Sequence, residues 1–222
     1  MRQPFAPLPF FLFVGLLVFL VSIVQVGALT LAFDKLGLSV ESGFLLLFAS
    51  LFGSAINLPL FTVRAEAPPP DAIPVALRGL LRHIAREFHG RTLITINVGG
   101  GLIPIAFSLY LMERGTLPFL QVIFGTGIVA SISHFISRPL PGVGIGMPIF
   151  VAPIAAALTA VIIGPAHSAP LAYVCGTLGV LIGADLLRLK DIRRMGTPMA
   201  AIGGAGTFDG IFMTGIVAVL LT

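Results

Sequence analysis

Two aspartates stand inside long apolar stretches of this sequence, where an ionisable side chain is costly to bury. Asp185 lies in GVLIGADLLRL and Asp209 lies in GGAGTFDGIFMTG, whereas the other seven of the nine acidic residues fall in polar stretches or at the edges of apolar ones. Two carboxylates that meet in a low-dielectric site cannot both ionise, so they share a proton and can hold a water molecule between them. One then takes a proton from that water while the other protonates a carbonyl oxygen, which hydrolyses an amide. We therefore predict Asp185 and Asp209 as a catalytic pair.

Three further polar residues are predicted to lie at the depth of these aspartates. Asn57, Asn97 and His134 each stand a few residues from a basic stretch, at one end of an apolar segment. A helical rise of about 1.5 Å per residue places all of these side chains in the inner third of a hydrocarbon core about 30 Å thick. We interpret the three as supporting or substrate-binding residues, or else as hydrogen-bond partners between helices.

The sequence around the second aspartate is rich in glycine. A GxxxG spacing there lets another backbone approach closely, and the run can also leave the chain locally unwound around a cavity. A second GxxxG, Gly179 and Gly183, precedes the first aspartate and points away from it, so we expect it to pack against another helix. The supporting glycines of the predicted site are Gly203, Gly204, Gly206 and Gly210.

Simpler roles are open to the same residues. Asp185 can pair with Arg188 one helical turn further on, and Asp209 can accept backbone N–H bonds at the start of a helix. His83 and His89 are six residues apart on poorly matched helix faces, and no third ligand stands nearby. We therefore expect no metal and no cofactor.

The composition sets the environment in which these residues act. Of 222 residues, 57% are hydrophobic and only 10% are charged, and the mean hydropathy is +1.07. An ordinary soluble domain carries about 25% charged residues. This balance excludes a soluble enzyme and a nucleic-acid-binding domain, and the single Cys175 excludes an internal disulfide. The net charge of +4 fits basic loops beside a membrane.

The apolar segments predict an all-α, polytopic membrane protein that forms one transmembrane domain over residues 1–222. About seven membrane-spanning helices are expected, over 8–33, 43–63, 92–112, 116–137, 147–164, 170–187 and 199–222. Basic loops alternate with neutral or mixed ones, which places the N-terminus in the cytoplasm and the C-terminus outside the plasma membrane. Within the basic loop 64–91 we predict a Pro-rich linker and an amphipathic helix that lies on the inner leaflet.

At the two aspartates the sequence resembles a known group of enzymes. GAD before Leu186 and GAGTFDG around Asp209 look like the two aspartate motifs of the GxGD intramembrane aspartyl proteases, which include presenilin, signal peptide peptidase and the prepilin peptidases. The resemblance implies a presenilin-like helical bundle, with Asp185 as the first catalytic aspartate and Asp209 as the second. INLPL, NVGGGLIP, PLPGVGIGMP, GADLLRL and GGAGTFDGIF also resemble an uncharacterised prokaryotic membrane family, a domain of unknown function.

These observations predict an intramembrane aspartyl protease that hydrolyses a peptide bond of a membrane-embedded substrate near the cytoplasmic side. The expected partners are membrane lipids and a transmembrane peptide, not nucleic acid, and no oligomeric state is indicated. A proton- or ion-coupled transporter is the first alternative, because such carriers also use broken helices and intramembrane aspartates. The second alternative is a non-catalytic membrane assembly factor.

Overall fold

The computed structural model describes residues 7–66, 90–115, 117–140, 144–204 and 210–222, most of which are helical. Two π-helical turns adjoin α-helices: Val98–Leu102 leads into the helix Ile103–Glu113, and Leu181–Leu186 continues the helix Ser168–Val180. Short 3-10 turns occur at Pro165–His167 and Asp191–Arg194. The α-helices are α1 (Pro7–Lys35), α2 (Val40–Gly53), α3 (Ile103–Glu113), α4 (Phe119–Ile136), α5 (Val151–Ile163), α6 (Ser168–Val180) and α7 (Gly210–Leu221).

Strands connect several of the helices. Three of the strands are β1 (Asn57–Arg64), β2 (Arg91–Asn97) and β5 (Met199–Ile202). They form a sheet of the order β1–β2–β5, in which β2 runs antiparallel to β1 and parallel to β5. A small antiparallel pair follows α4 and consists of β3 (Arg138–Leu140) and β4 (Gly144–Gly146).

The chain is mostly helical, as predicted, but it is not all-α, because three of the apolar segments contain the strands of this sheet. The segments predicted as helices over 43–63, 92–112 and 199–222 each combine one strand with one helix. In β2 the residues Thr92, Ile94, Thr95 and Ile96 are β-branched, and such side chains fit a pleated surface better than a helix. Length and hydropathy alone do not separate a strand joined to a helix from one continuous helix.

Two helices among the described residues are long and apolar enough to cross a membrane, Phe119–Ile136 and Pro165–Leu186. Val21–Lys35 and Val40–Gly53, bent by 107° at a short break, make a third candidate if they are taken together. The predicted seven-span, presenilin-like bundle is therefore not confirmed. Several apolar helices of this chain could nevertheless span a membrane, as expected of a membrane protein. The shorter apolar helices are Val98–Glu113, Val151–Ile163 and Ile211–Leu221.

The helix α6 forms the centre of the helical layer and packs against α4, α5 and α7. Residues 171–177 are all buried, and the Tyr173 ring meets the Phe107 ring of α3 edge to face at a centroid distance of 5.0 Å. In contrast, α4 and α5 leave large apolar side chains exposed on their outer faces, including Phe135 at 82% and Ile162 at 77%. Outer faces of this kind suit contact with lipid acyl chains, while the buried α6 contacts protein.

Glycines let α6 and its π-helical turn approach α4 closely. A Cβ added at Gly179 would lie 2.7 Å from the Val129 side chain, and one at Gly183 would overlap the carbonyl oxygen of Ala130. The prediction that this GxxxG pair packs against another helix is confirmed, and that helix is α4.

The predicted cytoplasmic linker and amphipathic helix fall mostly on residues 67–89, which lie outside the described residues. The described ends of this loop extend the β1–β2 ladder, since the Ala65 N–H donates to the Gly90 carbonyl at 3.0 Å. The two ends of the loop therefore leave the sheet side by side.

Candidate functional site

Asp185 lies in the π-helical turn Leu181–Leu186, where the chain leaves α6. Its side chain is half-buried, and its Oδ2 accepts a 2.7 Å hydrogen bond from the Gly203 N–H. A π-helical turn inserts one residue into a helix, changes the direction of the following side chains and often marks a functional site. The carboxylate is thus held on one oxygen, while Oδ1 makes no hydrogen bond to any described residue.

Gly203 and Gly204 directly follow β5 and adopt φ angles of +81° and +94°. These angles lie in the region that glycine occupies at no steric cost. The backbone of Gly203 also lies against the first π-helical turn, so a Cβ there would be 2.6 Å from the Gly101 nitrogen and 2.8 Å from the Gly100 carbonyl carbon. Gly203 is therefore required both by its backbone angle and by the lack of space.

Asn57 and Asn97 meet each other, because they are directly paired at the end of the β1–β2 ladder. The Asn97 Nδ2 donates to the Asn57 Oδ1 at 3.0 Å and to the Ser54 carbonyl at 2.7 Å, while its Oδ1 accepts from the Gly100 N–H at 2.8 Å. Asn97 is 1% exposed, and these bonds attach the sheet to α2 and to the π-helical turn beside Gly203. Asn97 thus positions backbone and Asn57 holds Asn97. Both lie on strands rather than on the helices that the alternative above assumed, and neither forms a hydrogen bond with Asp185.

His134 approaches the π-helical turn Leu181–Leu186, called the aspartate turn below, from α4. Its Nδ1–H donates to the Gly183 carbonyl at 3.2 Å, two residues before the carboxylate. The interhelical role considered for this histidine is therefore the one observed. It holds the turn, but the structure gives it no contact with the Asp185 side chain.

Arg188 does not pair with Asp185, so the ion pair considered from their spacing is wrong. Its guanidinium forms a 3.0 Å ion pair with Asp191 and donates to the carbonyls of His134 and Ser137 at 2.6 and 2.8 Å. A cation at a helix C-terminus satisfies the last carbonyls and interacts favourably with the helix dipole. Arg188 therefore ties the segment after Asp185 to the end of α4.

A cavity of about 690 Å³ opens beside Asp185. Its walls come from β3 and β4, the start of α5, the aspartate turn, β5 and α7, and they are mainly apolar. Among the described residues, Asp185 is the one acidic residue that lines the cavity. Two threonines, Thr197 and Thr214, also line it. Four of the six methionines of the chain also line it: Met147, Met195, Met199 and Met213.

Part of the predicted site lies outside the described residues, namely Asp209 and Gly206. Two described residues close to Asp209 in the sequence line the cavity: Gly204, five positions before it, and Ile211, two positions after it. Gly210 begins α7. The described residues contain no group of three or more His, Cys, Asp or Glu side chains that could hold a metal ion.

Two features of the site were not predicted from the sequence. Arg188 was considered as a partner for Asp185, although the position of this arginine near a helix C-terminus also suits a cap. The methionines were not predicted either, because they are far apart in the sequence and join one wall only when β5, α7 and the loop before α5 come together.

Residues 51–221 match the family described as Protein of unknown function (DUF1614), and the chain belongs to this family. No curated protein matches the chain, and no solved structure matches it.

Proposed function

We propose that this member of the DUF1614 family is an intramembrane aspartyl protease, which hydrolyses a peptide bond of a membrane-embedded substrate with Asp185 and Asp209. The observation that carries the proposal is the position of Asp185. Its carboxylate is oriented by one backbone N–H and lines a large, mainly apolar cavity within a helical membrane protein. A carboxylate in such surroundings is costly unless it has a use.

Chain connectivity supports the second aspartate. Ile211 lines the cavity, and Asp209 precedes it by two residues. Two residues of chain span at most about 7 Å, and we propose on this ground that the Asp209 carboxylate reaches the same cavity. Gly204 and Gly210 flank this segment and carry no side chain that would hinder a substrate backbone.

The proposed reaction uses one protonated and one ionised carboxylate. The ionised carboxylate takes a proton from a water molecule as the water oxygen attacks the peptide carbonyl carbon. At the same time the protonated carboxyl gives its proton to the carbonyl oxygen. In the tetrahedral intermediate, one hydroxyl then returns its proton to the second carboxylate as the C–N bond breaks. The amide nitrogen leaves with a proton from the first carboxyl, which restores one protonated and one ionised carboxylate. The Gly203 N–H keeps Oδ2 of Asp185 in place, so Oδ1 is the oxygen available to the water.

The cavity walls suit an apolar substrate of variable sequence. Methionine side chains are unbranched and adapt to differently shaped partners. Asp185 is the one charged side chain in the described lining, so no side chain other than this aspartate would pair there with a charged substrate residue. We therefore propose a transmembrane peptide segment with apolar side chains as the substrate.

The proposed orientation follows from the basic loops. The N-terminus is cytoplasmic, the C-terminus is outside the plasma membrane, and the aspartate pair is near the cytoplasmic side. Arg188 and the Asp191–Arg194 turn follow Asp185 within a few residues, which fits a position close to the inner headgroups.

A second candidate function is proton- or ion-coupled transport. It is favoured by the two π-helical turns, Val98–Leu102 and Leu181–Leu186, because coupled carriers place interrupted helices at their ion sites. In this case Asp185 would bind and release a proton or cation.

One set of variants separates these functions. The purified protein, reconstituted in liposomes with a transmembrane peptide that carries a fluorophore and a quencher, is compared with Asp185→Asn, Asp209→Asn and Asp34→Asn. Asp34 is exposed at the end of α1, so its variant controls for the loss of one carboxylate. The proposal expects cleavage by the wild type and Asp34→Asn but not by the other two variants, and labelling of the wild type by an aspartyl-protease transition-state inhibitor.

Cleavage that persists in Asp185→Asn or Asp209→Asn would overturn the catalytic pair. Proton or ion flux that depends on Asp185, without cleavage, would favour the transporter. If the wild type shows neither cleavage nor flux, and both aspartate variants stay folded and support the function of the protein in cells, the non-catalytic assembly factor would be favoured.

A further inference from the structure

Two arginines face each other at the end of the β1–β2 ladder. Arg64 and Arg91 are direct partners in this antiparallel pair, and both are exposed. Like charges placed opposite each other on neighbouring strands destabilise a sheet. Neither guanidinium forms a hydrogen bond or ion pair with any described residue, so this repulsion is not relieved within the described part of the chain.

Two more arginines are brought to the same end of the sheet. The Glu66 N–H donates to the Arg193 carbonyl at 2.8 Å, which attaches the Asp191–Arg194 turn beside β1. Arg193 and Arg194 are exposed, and Asp191 is already paired with Arg188. Among the described residues, Glu66 remains as the one nearby carboxylate against four arginines. We call Arg64, Arg91, Arg193 and Arg194 the arginine end of the sheet.

The strand that carries Arg64 is apolar and exposed from position 58 to position 61. Leu58, Leu60 and Phe61 keep 43%, 50% and 50% of their surface exposed. Phe61 precedes Arg64 by three residues, or about 10 Å of strand. A ligand that fits both parts has an anionic group at one end and an apolar chain at the other.

We propose that the arginine end binds the phosphate headgroup of an anionic phospholipid, whose acyl chain lies along Leu60 and Phe61. A guanidinium presents paired N–H donors that match two phosphate oxygens, and an anion between Arg64 and Arg91 replaces their repulsion by two attractions. The exposed apolar side chains select a lipid over free phosphate. The site involves neither aspartate and is independent of the proposed hydrolysis.

The test uses the full-length protein in dodecyl maltoside, titrated with short-chain phosphatidylglycerol, phosphatidylcholine or inorganic phosphate. The apparent Kd and the melting temperature are measured for the wild type, Arg64→Gln, Arg91→Gln and the double variant. Arg138→Gln is the matched control, because Arg138 is an exposed arginine on the other sheet. We expect phosphatidylglycerol to bind the wild type and raise its melting temperature, and each arginine lost from the pair to weaken binding about fivefold.

Without anionic lipid, the arginine substitutions are expected to change the melting temperature in the opposite direction. In phosphatidylcholine we expect Arg64→Gln and Arg91→Gln to melt at or above the wild-type temperature, because each removes the cross-strand repulsion. An unchanged phosphatidylglycerol affinity in the double variant would overturn the proposal, and so would an equal loss in Arg138→Gln. An equal effect of inorganic phosphate would overturn the choice of a lipid.

Discussion

Replacement of Gly203 by alanine tests the contact that orients Asp185. A residue with a Cβ at a φ of +81° pays about 1–2 kcal/mol for the left-handed backbone. The new Cβ would also lie 2.6 Å from the Gly101 nitrogen, a backbone atom that cannot turn aside, and overpacking of this kind costs about 1–3 kcal/mol. We therefore expect Gly203→Ala to lower the free energy of unfolding by about 2–5 kcal/mol.

Gly90→Ala is the matched control for the backbone angle. Gly90 has a φ of +74°, but among the described residues a Cβ there meets nothing closer than the Ala65 carbonyl oxygen at 4.0 Å. It should therefore cost about 1–2 kcal/mol, the backbone part alone. The difference between the two variants measures the overlap with the π-helical turn.

The assay is equilibrium unfolding of the purified variants in dodecyl maltoside as sodium dodecyl sulfate is added, followed by circular dichroism. If the structure is correct, Gly203→Ala unfolds at a lower mole fraction of sodium dodecyl sulfate than Gly90→Ala. Equal losses in the two variants would refute the close approach of Gly203 to Gly101. The backbone angle would then be the one remaining reason for glycine at position 203.

Other contacts around the site give further predictions. Asn97→Ala would leave the Ser54 carbonyl and the Gly100 N–H without their side-chain partner, so we expect a loss of about 2–4 kcal/mol in the same unfolding assay, and a loss under about 1 kcal/mol would contradict the network. Arg188→Gln removes an ion pair and two bonds to helix carbonyls, so its melting temperature should fall further than that of Arg138→Gln, an exposed arginine without described partners; equal melting temperatures would argue against the cap. Gly183→Ala should destabilise the protein by about 1–3 kcal/mol, because its Cβ would overlap the Ala130 carbonyl. Gly127→Ala, with open space around its Cβ, should be neutral or stabilising by up to about 1 kcal/mol. Similar values for the two variants would exclude the close contact with α4.

The sequence allowed the aspartate turn to be placed, but not the sheet that holds it. Asp185 stood out because a carboxylate in an apolar run is costly, and Gly183 stood out because GxxxG spacing predicts a close helix contact. The β1–β2 pairing depends on residues 27 to 40 positions apart, such as Asn57 and Asn97, and the sequence between them gives no turn signal for a hairpin. Local patterns cannot specify pairing over that separation.

The shared depth predicted for the polar residues was a weaker guide than their separate partners. Asn57 and Asn97 were expected beside the aspartates and instead bind each other, since their strands end at the same point. His134 was expected as a site residue and contacts the Gly183 carbonyl. Depth follows from the distance along a helix, but lateral contacts follow from packing, which hydropathy does not encode.

The most direct measurement of the proposed chemistry is mass spectrometry of an apolar transmembrane peptide incubated with the reconstituted protein in heavy-oxygen water. Hydrolysis by Asp185 and Asp209 predicts two product peptides, with one heavy oxygen in the new carboxyl terminus, and no products with Asp185→Asn or Asp209→Asn. A peptide that binds the wild-type protein and stays intact, or is cut equally by both variants, would contradict it.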